Sequence, residues 1–210
     1  HQIVDMMCPA NFAATNPEVV KAALGSEGQA LAQGLRNLIG DVEKGHISQT
    51  DESAFEVGRN IAITPGAVVY ENDVMQIIQY APATPTVRAR PLVMVPPCIN
   101  KFYIMDLQPE NSLVRFAIEQ GHTVFMVSWR NVKPPLDKLT WDDYLEMGVM
   151  AALDEARAIT GADKVNALGF CIGGTLLSCA LAVLAKKKKK PVASLTLMTA
   201  LLEFSDVGEI

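Results

Sequence analysis

Apolar and polar positions change their spacing along the chain, and each spacing predicts a different kind of element. Across residues 16–45 apolar side chains recur at helical intervals, and Asn16 followed by Pro17 is typical of a helix start. Within this stretch, Gly25, Gly28 and Gly34 weaken the case for one continuous helix. Farther on, β-favouring runs at residues 67–70 and 74–80 are separated by three polar residues. That pattern indicates a hairpin.

The second half of the chain alternates between short apolar runs and segments with helical spacing. We predict strands at residues 92–95, 123–127, 165–168 and 192–198, and helices at residues 110–120, 141–160 and 174–185. Strands that alternate with helices of this length imply crossover connections and a parallel sheet. The fold class is therefore α/β, with an N-terminal helical region at residues 1–60 and an α/β domain at residues 61–210.

One stretch superficially matches a membrane-spanning helix. Residues 167–185 carry no charge and are followed by five lysines. Glycines divide this stretch, however, and only residues 174–185 have a helical composition. Twelve helical residues span about 18 Å, whereas the hydrocarbon core of a bilayer is about 30 Å thick. We therefore interpret the stretch as a buried strand, a tight turn and a buried helix, and expect no membrane span.

Composition and charge favour a globular protein that does not bind nucleic acid. Half of the 210 residues are hydrophobic, and a chain of this length can bury on the order of 70% of its unfolded surface. Apart from the lysine run at residues 186–190 there are 13 basic and 23 acidic residues, a balance that disfavours a nucleic-acid surface. The run itself is interpreted as a solvated helix end, a contact for an anionic substrate group, or a segment that does not represent the natural loop.

Cysteine usage indicates a reducing compartment. Cys8, Cys98, Cys171 and Cys179 are unevenly spaced, unlike a disulfide framework or a CxxC metal site. No secretory signal precedes them, so we expect a cytoplasmic protein without a metal.

The strongest chemical signal is Gly-Phe-Cys-Ile-Gly at residues 169–173, where a predicted strand turns into a predicted helix. This is a G-x-C-x-G form of the nucleophile elbow, in which glycines allow a sharp turn that exposes the central side chain. Cys171 would then be the nucleophile, and the Ile172 amide would stabilise the oxyanion. The alternative is that Cys171 is a small buried hydrophobe; we expect that role for Cys179.

A second oxyanion donor is expected in the loop that follows the strand at residues 92–95. Pro96 and Pro97 have no N–H, so Cys98 is the first residue of that loop able to donate one. We predict the Cys98 backbone amide as this donor. The alternative is a stiff loop with Cys98 packed beneath it.

The general base is missing from the predicted site. His122 precedes a strand, roughly 17 Å from the edge that carries the elbow if the strand has five residues, so we expect it to be structural. Nothing in the sequence brings His46 to the elbow. In the order typical of α/β-hydrolases the acid and the histidine follow the nucleophile, yet none of the 39 residues after Cys171 is a histidine. The chain alone therefore cannot complete a triad.

With these residues in place, the sequence resembles polyhydroxyalkanoate synthases, most closely those of class I. The resemblance runs through most of the chain, in blocks at residues 9–18, 47–60, 91–116, 119–131, 140–144 and 168–175. It implies an α/β-hydrolase fold that is incomplete after the strand following the elbow, with Cys171 as covalent nucleophile and the acid and histidine farther downstream. For the chain by itself it implies inactivity, since both are absent.

The resemblance also implies a function and partners. It predicts a cytoplasmic acyltransferase that polymerises (R)-3-hydroxyacyl groups from coenzyme A into a polyester, without a cofactor beyond the coenzyme A of the substrate. It further predicts a homodimer at the surface of polyester granules, with the N-terminal region contributing to dimerisation and contacts with granule-associated proteins. Two alternatives remain open: a thioesterase or depolymerase with the same fold, and a non-catalytic homologue that lacks the base.

Overall fold

The computed structural model describes residues 2–99 and 101–205, and the chain divides into two compact units, His1–Phe55 and Glu56–Ile210. The first unit is helical, as its apolar spacing predicts. It contains α1 (Gln2–Met6), α2 (Pro17–Gly25) and α3 (Gln29–Lys44), with 3₁₀ turns at Pro9–Asn11 and Glu52–Ala54.

The helical pattern at residues 16–45 forms two helices rather than one. Asn16 caps α2 as predicted, because its side-chain oxygen accepts a hydrogen bond of 2.9 Å from the Glu18 N–H. The break lies at residues 26–28, where Gly28 has a φ of 85°, a left-handed conformation that glycine adopts without steric cost.

The second unit is built on a mixed six-stranded sheet. Its strands are β1 (Gly66–Glu71), β2 (Met75–Tyr80), β3 (Leu92–Val95), β4 (Val124–Trp129), β5 (Val165–Phe170) and β6 (Val192–Met198). The spatial order is β1-β2-β4-β3-β5-β6. The pairs β4–β3, β3–β5 and β5–β6 are parallel. The strands β1 and β2 form an antiparallel hairpin, and β2 also pairs antiparallel with β4. This confirms the predicted α/β class with a hairpin leading in.

Helices connect the parallel strands. They are α4 (Leu113–Glu119), α5 (Trp141–Asp143), a π-helix (Tyr144–Met150), α6 (Ala151–Thr160) and α7 (Ile172–Lys186), with 3₁₀ turns at Phe102–Met105, Pro109–Asn111 and Leu136–Lys138. The helix predicted at residues 141–160 thus contains a π-helical segment, and the helix predicted from residue 174 already begins at Ile172. Within the described residues, none of the helices combines the length and apolarity that crossing a bilayer requires.

Side chains alternate between two apolar clusters, one on each face of the sheet. On β4, Phe125 packs with Leu153 of α6 and Leu176 of α7, while its neighbour Met126 packs with Val114 of α4 on the opposite face. All five side chains are fully buried. Because helices cover both faces of the central strands, the loops at the carboxyl ends of these strands offer the accessible edge for a site.

The lysine run begins at the last residue of α7 and continues through the turn that ends this helix. The Lys188 N–H donates to the Ala185 carbonyl at 2.9 Å, and the Lys189 N–H donates to the Leu184 carbonyl at 2.8 Å. These two bonds are those of a Schellman motif, in which the first residue beyond the cap is left-handed and usually glycine. Lys188 occupies that position with a φ of 59°. Because a residue with a Cβ is disfavoured in this conformation, the backbone at Lys188 is strained.

Candidate active site

Cys171 occupies the turn between the last residue of β5 and the first residue of α7. Its φ of 54° and ψ of −129° lie in a region that residues with a side chain rarely adopt. Hydrogen bonds hold it there: the Cys171 N–H donates to the Met198 carbonyl at 2.9 Å, and its own carbonyl accepts from the Gly174 N–H at 2.8 Å. The strand, sharp turn and helix expected of a nucleophile elbow are therefore present.

Three glycines around the turn permit contacts that a side chain would block. A Cβ at Gly169 would lie 2.4 Å from the Gly174 Cα, so strand and helix approach closely at this point. A Cβ at Gly173 would lie 2.2 Å from the Val95 carbonyl oxygen, and one at Gly174 would lie 2.5 Å from the Ala200 Cβ. The prediction that glycine allows strand and helix to approach is confirmed at Gly169. Gly173 instead allows α7 to approach the backbone at the end of β3 and the start of the loop that follows it.

The strand register brings Cys98 beside the elbow. β3 and β5 are parallel neighbours with Val95 opposite Gly169, so the loops that follow both strands leave the same edge of the sheet. Cys98 is half-buried, and burial raises the pKa of its thiol, to which the neighbouring Cys171 sulfur adds a smaller increase. The two cysteines identified from the sequence thus lie near each other. Ile172 is the first residue of α7, so its N–H has no acceptor inside the helix.

An aromatic cluster behind the Cys98 loop was not identified from the sequence. The Trp129 indole N–H donates a buried hydrogen bond of 2.8 Å to the Pro96 carbonyl oxygen, and the Trp129 and Tyr144 rings lie 5.5 Å apart between centroids. Burial raises the pKa of the Tyr144 phenol, with a smaller contribution from Cys98. The available sequence signal was Gly148 inside a helical pattern, because an interior glycine often marks close packing; a Cβ there would lie 2.5 Å from the Trp129 ring.

In the part of the chain that the structure describes, no hydrogen bond or ion pair joins a histidine to the elbow. His122 lies two residues before the start of β4, at the amino edge of the parallel strands, and burial, followed by the charge of Arg88, lowers its pKa. His46 lies in the first unit, where its Nε2 is 2.7 Å from a carboxylate oxygen of Glu52. The second unit therefore presents a cysteine and amides at its carboxyl edge, with its one histidine at the other edge.

The arrangement suits acyl transfer. A cysteine at the start of a helix can attack a carbonyl carbon and release a thiol or alcohol, and backbone amides can stabilise the oxyanion that such an attack forms. In the part of the chain that the structure describes, no group of three or more His, Cys, Asp or Glu side chains could hold a metal ion.

Comparison with known protein families gives two matches that together cover the whole chain. Residues 1–117 match the family model described as poly-beta-hydroxybutyrate polymerase (PhaC) N-terminus, and residues 91–210 match the model described as alpha/beta hydrolase fold. The second match confirms the fold predicted from the elbow and the strand order.

Several curated relatives are poly(3-hydroxyalkanoate) polymerases. The subunit from Cupriavidus necator is 59% identical over 207 residues, which cover 99% of this chain and 35% of the relative. The subunit from Rhizobium etli is 42% identical over 213 residues, covering 100% of this chain and 34% of the relative. The chain therefore spans about a third of the length of the curated relatives it matches.

Solved structures with a similar arrangement include a carboxylesterase and an epoxide hydrolase. The carboxylesterase EstE1 from a metagenomic library has a TM-score of 0.45 and 14% identity, with 70% of this chain and 52% of the esterase covered. Epoxide hydrolase A from Mycobacterium thermoresistibile has a TM-score of 0.44 and 15% identity, with 63% and 38% covered.

Proposed function

This chain belongs to the poly-beta-hydroxybutyrate polymerase (PhaC) family, and on that premise we propose that the protein containing it is an acyltransferase. It transfers (R)-3-hydroxyacyl groups from coenzyme A to a growing polyester. The observation that carries the proposal is Cys171, held at a positive φ between β5 and α7 with the Cys98 loop beside it. That geometry suits a covalent acyl-cysteine.

In the proposed acylation step the Cys171 thiolate attacks the thioester carbonyl carbon. Negative charge develops on the carbonyl oxygen, where the amides of Ile172 and Cys98 donate hydrogen bonds. Collapse of this intermediate breaks the bond between the carbonyl carbon and the coenzyme A sulfur, and the departing thiolate takes up a proton. A thiolate is suited to this exchange because it is both a good nucleophile and a good leaving group in the next step.

In the proposed transfer step a 3-hydroxyl oxygen attacks the acyl-cysteine. The hydroxyl must lose its proton as the new ester forms and the Cys171 sulfur leaves. Because His122 lies at the opposite edge of the sheet, we assign the general base to a histidine outside this chain. The reaction needs no metal or separate cofactor, since coenzyme A enters as part of the substrate.

For the first unit we propose a role in assembly at cytoplasmic polyester granules. Along α3 the side chains of Leu31, Leu35 and Leu38 recur at helical spacing and are 56–58% exposed. An exposed apolar stripe of this kind is typical of a surface that another molecule covers. A second copy of the chain, giving a homodimer, and granule-associated proteins are the proposed partners.

The test uses protein expressed from the full reading frame, mixed with 3-hydroxybutyryl-coenzyme A and quenched in acid. We expect wild type to release coenzyme A and to gain the mass of the acyl group on the peptide that contains Cys171. Cys171→Ala should release none above background and carry no acyl group. The matched control is Cys179→Ala, eight residues farther along in α7, which should behave like wild type.

Two outcomes would contradict the proposal. Near-normal release of coenzyme A by Cys171→Ala would remove this residue as nucleophile. Free 3-hydroxybutyrate as the wild-type product, without polymer, would instead assign the thioesterase reaction.

A further inference from the structure

The Trp129 indole reaches from one strand to the loop that follows its neighbour. Trp129 is the last residue of β4, which pairs in parallel with β3. Its Nε1–H donates the 2.8 Å hydrogen bond to the Pro96 carbonyl oxygen across 33 positions of sequence, and the residue is only 7% exposed. A buried carbonyl that lost this donor would be costly, so the bond fixes where the loop leaves β3.

The same carbonyl is the point at which the loop meets the elbow. A Cβ at Gly173 would lie 2.6 Å from the Pro96 oxygen and 2.2 Å from the Val95 oxygen. The start of α7 therefore packs directly against this part of the loop. With the indole donating to the carbonyl and α7 pressed against it, the Pro96 peptide has little room to move.

Few backbone rotations separate that carbonyl from the Cys98 N–H. The planar peptide unit that includes the Pro96 oxygen also includes the nitrogen of Pro97, whose ring holds φ at about −65°. The ψ angle of Pro97 is then the single soft rotation that orients the peptide unit carrying the Cys98 N–H. A donor that holds the Pro96 carbonyl therefore leaves one soft rotation, the ψ angle of Pro97, between the fixed peptide unit and the Cys98 amide.

The indole is itself held by the π-helical segment. A Cβ at Gly148 would lie 2.5 Å and 2.6 Å from two carbons of the Trp129 ring, so the ring fills space that only glycine leaves open. The ring also contacts Tyr144, with an angle of 46° between the ring planes. Both contacting residues belong to Tyr144–Met150, and π-helical segments often occur at functional sites.

We propose that Trp129 is a positioning residue for the oxyanion hole: its indole N–H, through the Pro96 carbonyl, orients the Cys98 amide toward the reacting thioester. The inference rests on the proposed function, because it takes Cys171 as the nucleophile and Cys98 as a donor. It predicts that Trp129 accelerates acylation without touching the substrate.

The test compares two reactions of Cys171 in protein expressed from the full reading frame. Acylation by 3-hydroxybutyryl-coenzyme A needs the oxyanion donors, whereas alkylation by iodoacetamide needs the thiolate but forms no oxyanion. We expect Trp129→Phe to slow acylation by about 10- to 100-fold, with KM for the thioester and the alkylation rate changed by less than about threefold. The matched control, Trp141→Phe at the 43% exposed tryptophan that begins α5, should leave both reactions at wild-type rates.

A second variant removes any ambiguity from misfolding. Replacing Trp129 by 3-benzothienylalanine keeps the size and shape of the ring but substitutes sulfur for the N–H, and it should slow acylation as Trp129→Phe does. Acylation at the wild-type rate in this folded variant would overturn the inference, as would equal losses in acylation and alkylation. Absence of acyl-cysteine in wild type would instead overturn the proposed function, and this inference with it.

Discussion

Gly173→Ala should damage the elbow and the Cys98 loop together. The added Cβ would lie 2.2 Å from the Val95 oxygen, whereas ordinary van der Waals contact begins at 3.4 Å, so helix or loop must retreat by about 1.2 Å. The Val95 oxygen and the Pro96 oxygen, which would lie 2.6 Å from the same Cβ, both belong to the backbone of β3 and the loop that follows it. A change of side-chain rotamer therefore cannot relieve the clash.

The expected cost has a stability part and a catalytic part. Overpacking at a tight contact destabilises by about 1–3 kcal/mol. A displacement of about 1 Å between groups that must act on one carbonyl can cost about 100-fold in rate. Because the retreat separates the Ile172 amide from the Cys98 amide, we expect the acylation rate to fall about 100-fold and the urea midpoint to fall with it.

Urea unfolding, followed by tryptophan fluorescence, and acid-quenched acylation measure the two effects. Gly40→Ala is the matched control, because a Cβ at this glycine inside α3 would meet nothing within 4 Å. That change should leave acylation unaltered and favour the helix by about 0.5–1 kcal/mol. If Gly173→Ala matched wild type in both assays, the contact between α7 and the Cys98 loop would not be tight.

Two further predictions concern the end of α7 and the histidines. Lys188→Gly should stabilise the chain by about 0.5–1 kcal/mol, because glycine relieves the strain of a φ of 59°, whereas Lys187→Gly, at a φ of −78°, should not; equal urea midpoints for the two variants would contradict this. In an NMR titration the pKa of His46, raised by its hydrogen bond with Glu52, should lie above 6.5, and the pKa of His122, lowered by burial, should lie below 6.5. The stability from His46 is thus complete below pH 6.5 and is lost as the pH rises through the raised pKa, while that from the neutral His122 is lost as the pH falls through the lowered one. Glu52→Gln should lower the pKa of His46 alone, and a parallel shift of His122 would refute the assignment.

Local sequence signals predicted much of the fold. The strand predicted at residues 192–198 coincides with β6, and the strand–turn–helix at Cys171 follows from two glycines and an apolar run. Boundaries were less well predicted where distant residues decide them. The strand predicted to end at residue 127 continues to Trp129, whose indole is held by the Pro96 carbonyl, a partner that no local pattern reveals.

The elements, the α/β class and the candidate nucleophile could be predicted from the sequence, because helical spacing, β alternation and glycine punctuation depend on residues only a few positions apart. Only the packed fold shows that Trp129, the Pro96 carbonyl and Gly173 meet at one point. Their meeting requires β3 to lie between β4 and β5 in a particular register. That order depends on backbone pairing and packing between segments tens of residues apart, for which the residues of any one segment carry no signal.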